Sequence, residues 1–102
     1  MLKQRTLRNP IKAVGIGLHT GKNINMELIP ANVNTGINFI RTDINEEILI
    51  PAIAENVGDT SLSTALIKDD IKISTIEHLL SAIAGLGVDN CIIKVNGPEV
   101  PI

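Results

Sequence analysis

Two adjacent residues, Glu77 and His78, carry the clearest chemistry in this sequence. A positioned carboxylate can take a proton from water, and a neutral imidazole can bind a metal through its lone pair. Zinc accepts histidine nitrogens and carboxylates, and a catalytic zinc keeps one position for water. Glu-His is not the His-Glu-x-x-His pattern, which sets two ligands one helical turn apart. The same pair also fits a structural account, with Glu77 completing a helix cap and His78 as a partly buried histidine. The pair alone leaves both accounts open.

The element that must position them is a short helix within residues 73–90. Ser74 is the expected N-cap, and Glu77 three residues later completes a Ser-x-x-Glu capping box. Ile76, Leu79, Leu80 and Ile83 recur at helical spacing and predict one apolar face. Gly85 is the expected stop, and Gly87 frees the backbone before the next strand. Helix dipole and free amides make the first turn positive, which suits a carboxylate at 77 and a neutral imidazole at 78.

The rest of the chain reads mostly as strands. Residues 4–7 predict a first strand that Pro10 interrupts, and residues 13–18 a second. Gly15, Gly17 and Gly21 surround Leu18-His19-Thr20 and predict a tight connection that brings backbone close to a ligand or a neighbouring strand. No helix follows, which argues against a dinucleotide site. His19 by itself reads as a surface loop histidine. Residues 23–29 alternate, with Ile24, Met26 and Leu28 on one side, and residues 37–41 predict a strand joined to them as a hairpin with a longer loop. Pro51 marks residues 48–54 as an edge or a bulge. Residues 58–61 read as a turn, 62–67 as a strand, Lys68-Asp69-Asp70 as a hairpin tip, and 71–73 as the lead into the helix. Residues 91–95 predict a buried strand, Asn96-Gly97 a turn, and 98–101 an extended end. The expected fold is α+β, a two-layer sandwich of a mainly antiparallel sheet with the helix on one face.

Composition narrows the function. The 102 residues fit one domain, 1–102, and 44% hydrophobic content supports a globular chain. Phe39 is the only aromatic residue, so the core must be aliphatic. A net charge of -2 and the lack of stacking aromatics leave no nucleic-acid footprint. Cys91 is the only cysteine, which excludes an intrachain disulfide and a cysteine zinc cluster, and it reads as a core residue. Lys3, Arg5 and Arg8 precede no apolar run, so no signal peptide is expected, and no stretch reaches the length of a transmembrane span. The cytoplasm is the expected compartment.

The stretch Ser74-Thr75-Ile76-Glu77-His78-Leu79 resembles the Ser-Thr-(Val/Ile)-Glu-His-Leu segment of the UDP-3-O-acyl-N-acetylglucosamine deacetylases, zinc hydrolases of lipid A biosynthesis. Further segments resemble that family in order: residues 4–7, 15–21, Arg41-Thr42-Asp43, Asp59-Thr60, and Asn96-Gly97-Pro98-Glu99-Val100-Pro101-Ile102. The resemblance spans essentially the whole chain but only the first of the family's two domains. It implies a ribosomal S5 domain 2-like sandwich, with the active site between this domain and a second one that is missing here. It implies His78 as a zinc ligand and Glu77 as the general base. It places Leu18 and His19 beside the substrate, a UDP-sugar lipid, and Thr60, Ser61, Leu62 and Ser63 beside the zinc along the path of the acyl chain. Some relatives have cysteine where this chain has Ser63, a position that is not a zinc ligand. From sequence alone, residues 60–63 fit better a hydroxyl-rich strand that satisfies its own backbone.

In the family, the remaining zinc ligands, a His and an Asp from a His-x-x-x-Asp segment, and a further catalytic histidine lie in the second domain, outside this chain. The isolated chain is therefore expected to bind Zn2+ weakly and to be inactive. One histidine does not separate zinc from iron. The competing reading is a catalytically inactive remnant, or a module that needs a separately supplied second half.

Overall fold

A computed structural model describes residues 3–45, 47–59 and 64–101. Five strands form a mixed sheet: β1 (Ile11–Ile16), β2 (Asn23–Pro30), β3 (Ile37–Arg41), β4 (Ile50–Pro51) and, much later in the chain, β8 (Cys91–Val95). Their spatial order is β1-β2-β8-β3-β4. A second, antiparallel sheet contains β5 (Val57–Asp59), β6 (Thr64–Lys68) and β7 (Ile71–Ser74). The single helix among the described residues, α1 (Glu77–Gly85), follows β7.

The expected α+β class holds, but the described residues form two sheets rather than one. Buried side chains from both sheets and from α1 form one cluster, including Phe39, Ile50, Leu66, Ile73, Ile76, Ile83 and Ile93. One layer is thus the large sheet, and the other is the small sheet together with α1. Phe39 and Ile93 are fully buried and pair directly across β3 and β8. Each such side chain contributes about 1.5–3 kcal/mol relative to exposure.

The strand β8 lies between β2 and β3, antiparallel to the first and parallel to the second. The expected β2–β3 hairpin is therefore absent. Cys91, Ile93 and Val95 face the core, while Ile92 and Lys94 are half-covered on the other side. A strand apolar on one face and partly covered on the other suits an interior position, with partners along both edges. Pro51 sits in β4 at the sheet edge, where its missing N–H costs no ladder bond.

The N-terminal segment makes no strand at residues 4–7. It forms one bridge, Thr6 to Asn90, with the Arg5 carbonyl also accepting from Asp89 N–H, and is further held by side chains. The Gln4 side chain accepts from the Asn34 amide (2.8 Å) and the Asn90 side chain (2.9 Å), and Thr6 Oγ1 donates to the Asn90 carbonyl (2.6 Å). The β6–β7 turn does match expectation. Asp69 and Asp70 adopt φ of 52° and 65°, the left-handed pair that a two-residue hairpin needs and that Asp tolerates. Where a turn is expected at 58–61, Val57–Asp59 forms β5, and residues 60–63 lie outside the described residues.

Replacing Phe39 by Ala removes the one aromatic side chain from a fully buried site. A loss of about 3–5 kcal/mol is expected. Urea unfolding followed by far-ultraviolet circular dichroism measures it, since the chain has no Trp or Tyr.

Candidate active site

The start of α1 is built differently from a capping box. Ser74 is the last residue of β7, paired with Ala65, and its backbone is bonded on the other side as well. Its N–H donates to the Pro98 carbonyl (2.8 Å), and its own carbonyl accepts from Val100 N–H (3.0 Å). Strand pairing on both edges thus holds Ser74 in extended structure. Ile76 flanks the helix, with no side-chain cap. Thr64 of β6 instead anchors the turn just before the helix. Its carbonyl accepts from the N–H groups of Thr75 (2.9 Å) and Ile76 (3.4 Å), and its own N–H donates to Glu77 Oε2 (2.9 Å).

The turn between strand and helix is strained. Thr75 has φ of 63°, left-handed backbone that a β-branched residue rarely adopts, at a cost of about 1–3 kcal/mol. Thr75 is buried, and its hydroxyl has no hydrogen-bond partner among the described residues. At the other end the helix closes at Gly87 rather than Gly85. Gly87 takes φ of 72°, its N–H donates to the Ala84 carbonyl, and Val88 N–H donates to that of Ile83. This is the paired bonding of a Schellman closure, with Val88 packed on the same core as Ile83.

The structure therefore places Glu77 half-buried at the first helical residue, one carboxylate oxygen fixed to β6, and His78 exposed beside it. The second carboxylate oxygen meets no hydrogen-bond donor among the described residues. Leu18 and His19 are exposed in the hairpin loop joining β1 to β2, and Leu18 is 57% accessible. Residues Thr60, Ser61, Leu62 and Ser63 lie outside the described residues. Among the described residues, no cluster of three or more His, Cys, Asp or Glu side chains could hold a metal. His78 and Glu77 thus fit part of a metal centre, one imidazole with a carboxylate beside it. Two surface depressions, of about 420 Å³ beside Lys3, Arg5 and Asp89 and about 370 Å³ beside Lys12, Glu27 and Lys94, include neither residue.

Sequence reading singled out the 96–102 segment but not what Glu99 does. Glu99 is 1% exposed. Its Oε1 accepts from His19 N–H (2.9 Å) and its Oε2 from Thr20 N–H (2.8 Å). Burial by itself would push this carboxyl up. The hydrogen bonds from the His19 and Thr20 backbone and the Thr20 hydroxyl outweigh it, and the carboxyl lies below its ordinary range. The hydrogen bonds from Arg41 likewise hold Asp43 below the usual range, against a smaller effect of burial. Burial pushes the Cys91 thiol up. The one sequence signal for Glu99 is a lone carboxylate set among Pro98, Val100 and Pro101.

Fold and site together define an α+β domain that presents a carboxylate–imidazole pair at a strained strand-to-helix turn. The profile of the UDP-3-O-acyl N-acetylglycosamine deacetylase family (LpxC) matches residues 4–102. The chain is 60% identical over 102 residues to a UDP-3-O-acyl-N-acetylglucosamine deacetylase of Saccharophagus degradans, 59% to one of Cellvibrio japonicus and 58% to one of Methylococcus capsulatus. All of this chain is covered in each comparison, against 34% of each relative. The chain belongs to the UDP-3-O-acyl-N-acetylglucosamine deacetylase family, and it spans about a third of the length of these relatives.

The titrating groups set a pH window. Glu99 and Asp43 have lowered folded values, so their stabilisation is complete above the unfolded carboxyl range and is lost as pH falls through the folded values. Cys91 has a raised folded value, so its contribution is complete below the unfolded thiol range and is lost as pH rises through the folded one. Urea midpoints are expected to be flat between about pH 5 and 8 and to fall on either side.

Proposed function

We propose that this chain supplies the general base, Glu77, and one metal ligand, His78, to a zinc-dependent amidase that removes the N-acetyl group of UDP-3-O-acyl-N-acetylglucosamine in lipid A biosynthesis. The observation that carries this reading is a Glu-His pair displayed at a strained turn, in a chain that matches the family from residue 4 to residue 102. Backbone strain kept next to reactive groups is a recurrent feature of active sites.

A zinc ion held there with ligands from outside this chain would polarise the amide carbonyl and make water acidic enough to attack near neutral pH. The chain's own residues do the rest of what is proposed. Thr64 N–H fixes one Glu77 oxygen, which orients the carboxylate and leaves the other oxygen to accept a proton from the attacking water. His78, exposed beside it, offers a ring nitrogen to the metal. Leu18 and His19 border the sugar-nucleotide lipid, and Thr60, Ser61, Leu62 and Ser63 line the route of its acyl chain.

The same reading takes the α+β sandwich as ribosomal S5 domain 2-like and sets it against a second domain. That domain brings the remaining His and Asp ligands and a further histidine. The setting is cytoplasmic; no described helix is long and apolar enough to cross a membrane. By itself the 102-residue chain is inactive, because one imidazole and one carboxylate fall short of the usual three protein ligands.

Glu77→Gln in the full-length protein separates support from chemistry. Its amide oxygen can still accept from Thr64 N–H, but glutamine cannot take a proton. The variant is expected to keep its unfolding midpoint and lose about 10²–10⁴-fold in kcat. Wild-type kcat in this variant, or turnover by the isolated chain with added zinc, would contradict the assignment.

A further inference from the structure

We infer that Glu99 is a positioning residue for substrate recognition, fixing the loop from Gly17 to Gly21 and tying it to the strand end that leads into Glu77 and His78. The inference rests on the deacetylase reading for what the loop recognises, but not for the clamp itself.

The loop does not need Glu99 to close. Gly17 N–H donates to the Lys22 carbonyl (2.9 Å), Gly21 N–H donates to that of Gly17 (2.9 Å), and Gly21 takes φ of 69°. Backbone bonding therefore already joins β1 to β2. Glu99 adds one hydrogen bond to each of two successive amides at the loop tip. It does so as a buried carboxylate, and no Lys or Arg among the described residues pairs with it. Burying a carboxylate costs free energy that these hydrogen bonds must offset, a cost that a neutral residue of the same volume would not carry. What the carboxylate achieves is a fixed orientation for the 19–20 peptide.

Fixing that peptide fixes what it displays. Leu18, His19 and Thr20 are all exposed, so the clamp organises a surface rather than a core. Space around it is tight. A Cβ on Gly17 would lie 2.5 Å from the Thr20 hydroxyl and 2.7 Å from the Glu99 carboxylate. Glycine at 17 is what lets the carboxylate reach both amides. The backbone on either side of Glu99 is anchored just as firmly. Pro98 and Val100 each bond Ser74, so Ser74 and Glu99 form a parallel bridge three residues before Glu77. The short segment from Pro98 to Val100 thus holds the exposed loop through the Glu99 side chain and the strand end before α1 through its flanking backbone. Rigid display of a recognition loop lowers the ordering cost when substrate binds.

The test is Glu99→Gln in the full-length protein, read in two ways. Amide hydrogen exchange at His19 and Thr20 is expected to accelerate about tenfold or more, with Ile93 and Val95 in β8 unchanged, because glutamine turns an NH₂ group toward one of the two amides. In steady-state deacetylation of UDP-3-O-acyl-N-acetylglucosamine, KM is expected to rise about tenfold with kcat within about twofold, the pattern of lost uniform binding. Gly17→Ala leaves Glu99 in place but crowds the clamp. It should move both readouts in the same direction, and it carries the test if Glu99→Gln does not fold. Unchanged exchange at His19 and Thr20 would overturn the clamp. Faster exchange with unchanged KM would overturn the recognition role. A wild-type protein that deacetylates no such substrate would overturn the deacetylase reading and the substrate assignment with it, while the exchange rates still decide the clamp.

Discussion

The short parallel pairing of Ser74 with Glu99 is the constraint on which the chemical end of this domain depends. It holds β7 extended up to Ser74, so the chain must turn into α1 within Thr75 and Ile76. That abrupt change puts Thr75 in left-handed backbone and brings the two amides just before the helix onto Thr64. Glu77 then reaches back to the same Thr64, and His78 is left facing outward. On its other side the pairing presents the Glu99 carboxylate to the β1–β2 loop. Without this bridge, a Ser-x-x-Glu cap could start the helix earlier and Glu77 would turn onto its own helix.

The energetics explain why such a site needs a solid frame. A β-branched residue at positive φ and a buried hydroxyl without a partner among the described residues are each destabilising. The aliphatic core offsets them. Ile50, Leu66, Ile73, Ile76 and Ile93, together with Phe39, are fully buried and join both sheets to the helix. Low-energy features such as the Schellman closure and the Asp69-Asp70 turn lie away from Glu77 and His78. Strain is concentrated where Glu77 and His78 are displayed.

Local patterns made much of this fold legible. The alternation of Ile24, Met26 and Leu28, the strand at 37–41, the apolar face of α1 and the run from Cys91 to Val95 all rest on side-chain period, which burial enforces. The misses share a cause: each depends on a partner distant in the chain. Ser74 satisfies every local rule for an N-cap, but residues 98–100 claim its backbone. The β2 and β3 strands look like a hairpin, but β8 enters between them from about fifty residues further on. Residues 4–7 look like a strand, but Asn34, Asp89 and Asn90 take up their hydrogen bonds. For the site, spacing alone favoured a structural role for Glu77-His78 over chemistry. Ordered resemblance to a family tipped it, and the structure removes the capping-box account by giving Glu77 a different partner. Glu99 has no periodic signature at all, because its role exists only once the loop at 17–21 is folded against it.

Zinc content tests the central claim, that His78 is a ligand of a metal centre completed from outside this chain, most directly. Full-length wild-type and His78→Ala proteins would be dialysed against trace metal and assayed for bound zinc by elemental analysis, with circular dichroism confirming the fold of each. One zinc per wild-type protein, and loss of most of it in a folded His78→Ala variant, is the predicted result. Equal zinc retention in both proteins would contradict it, and would return His78 to an ordinary exposed histidine on a helix that serves only the fold.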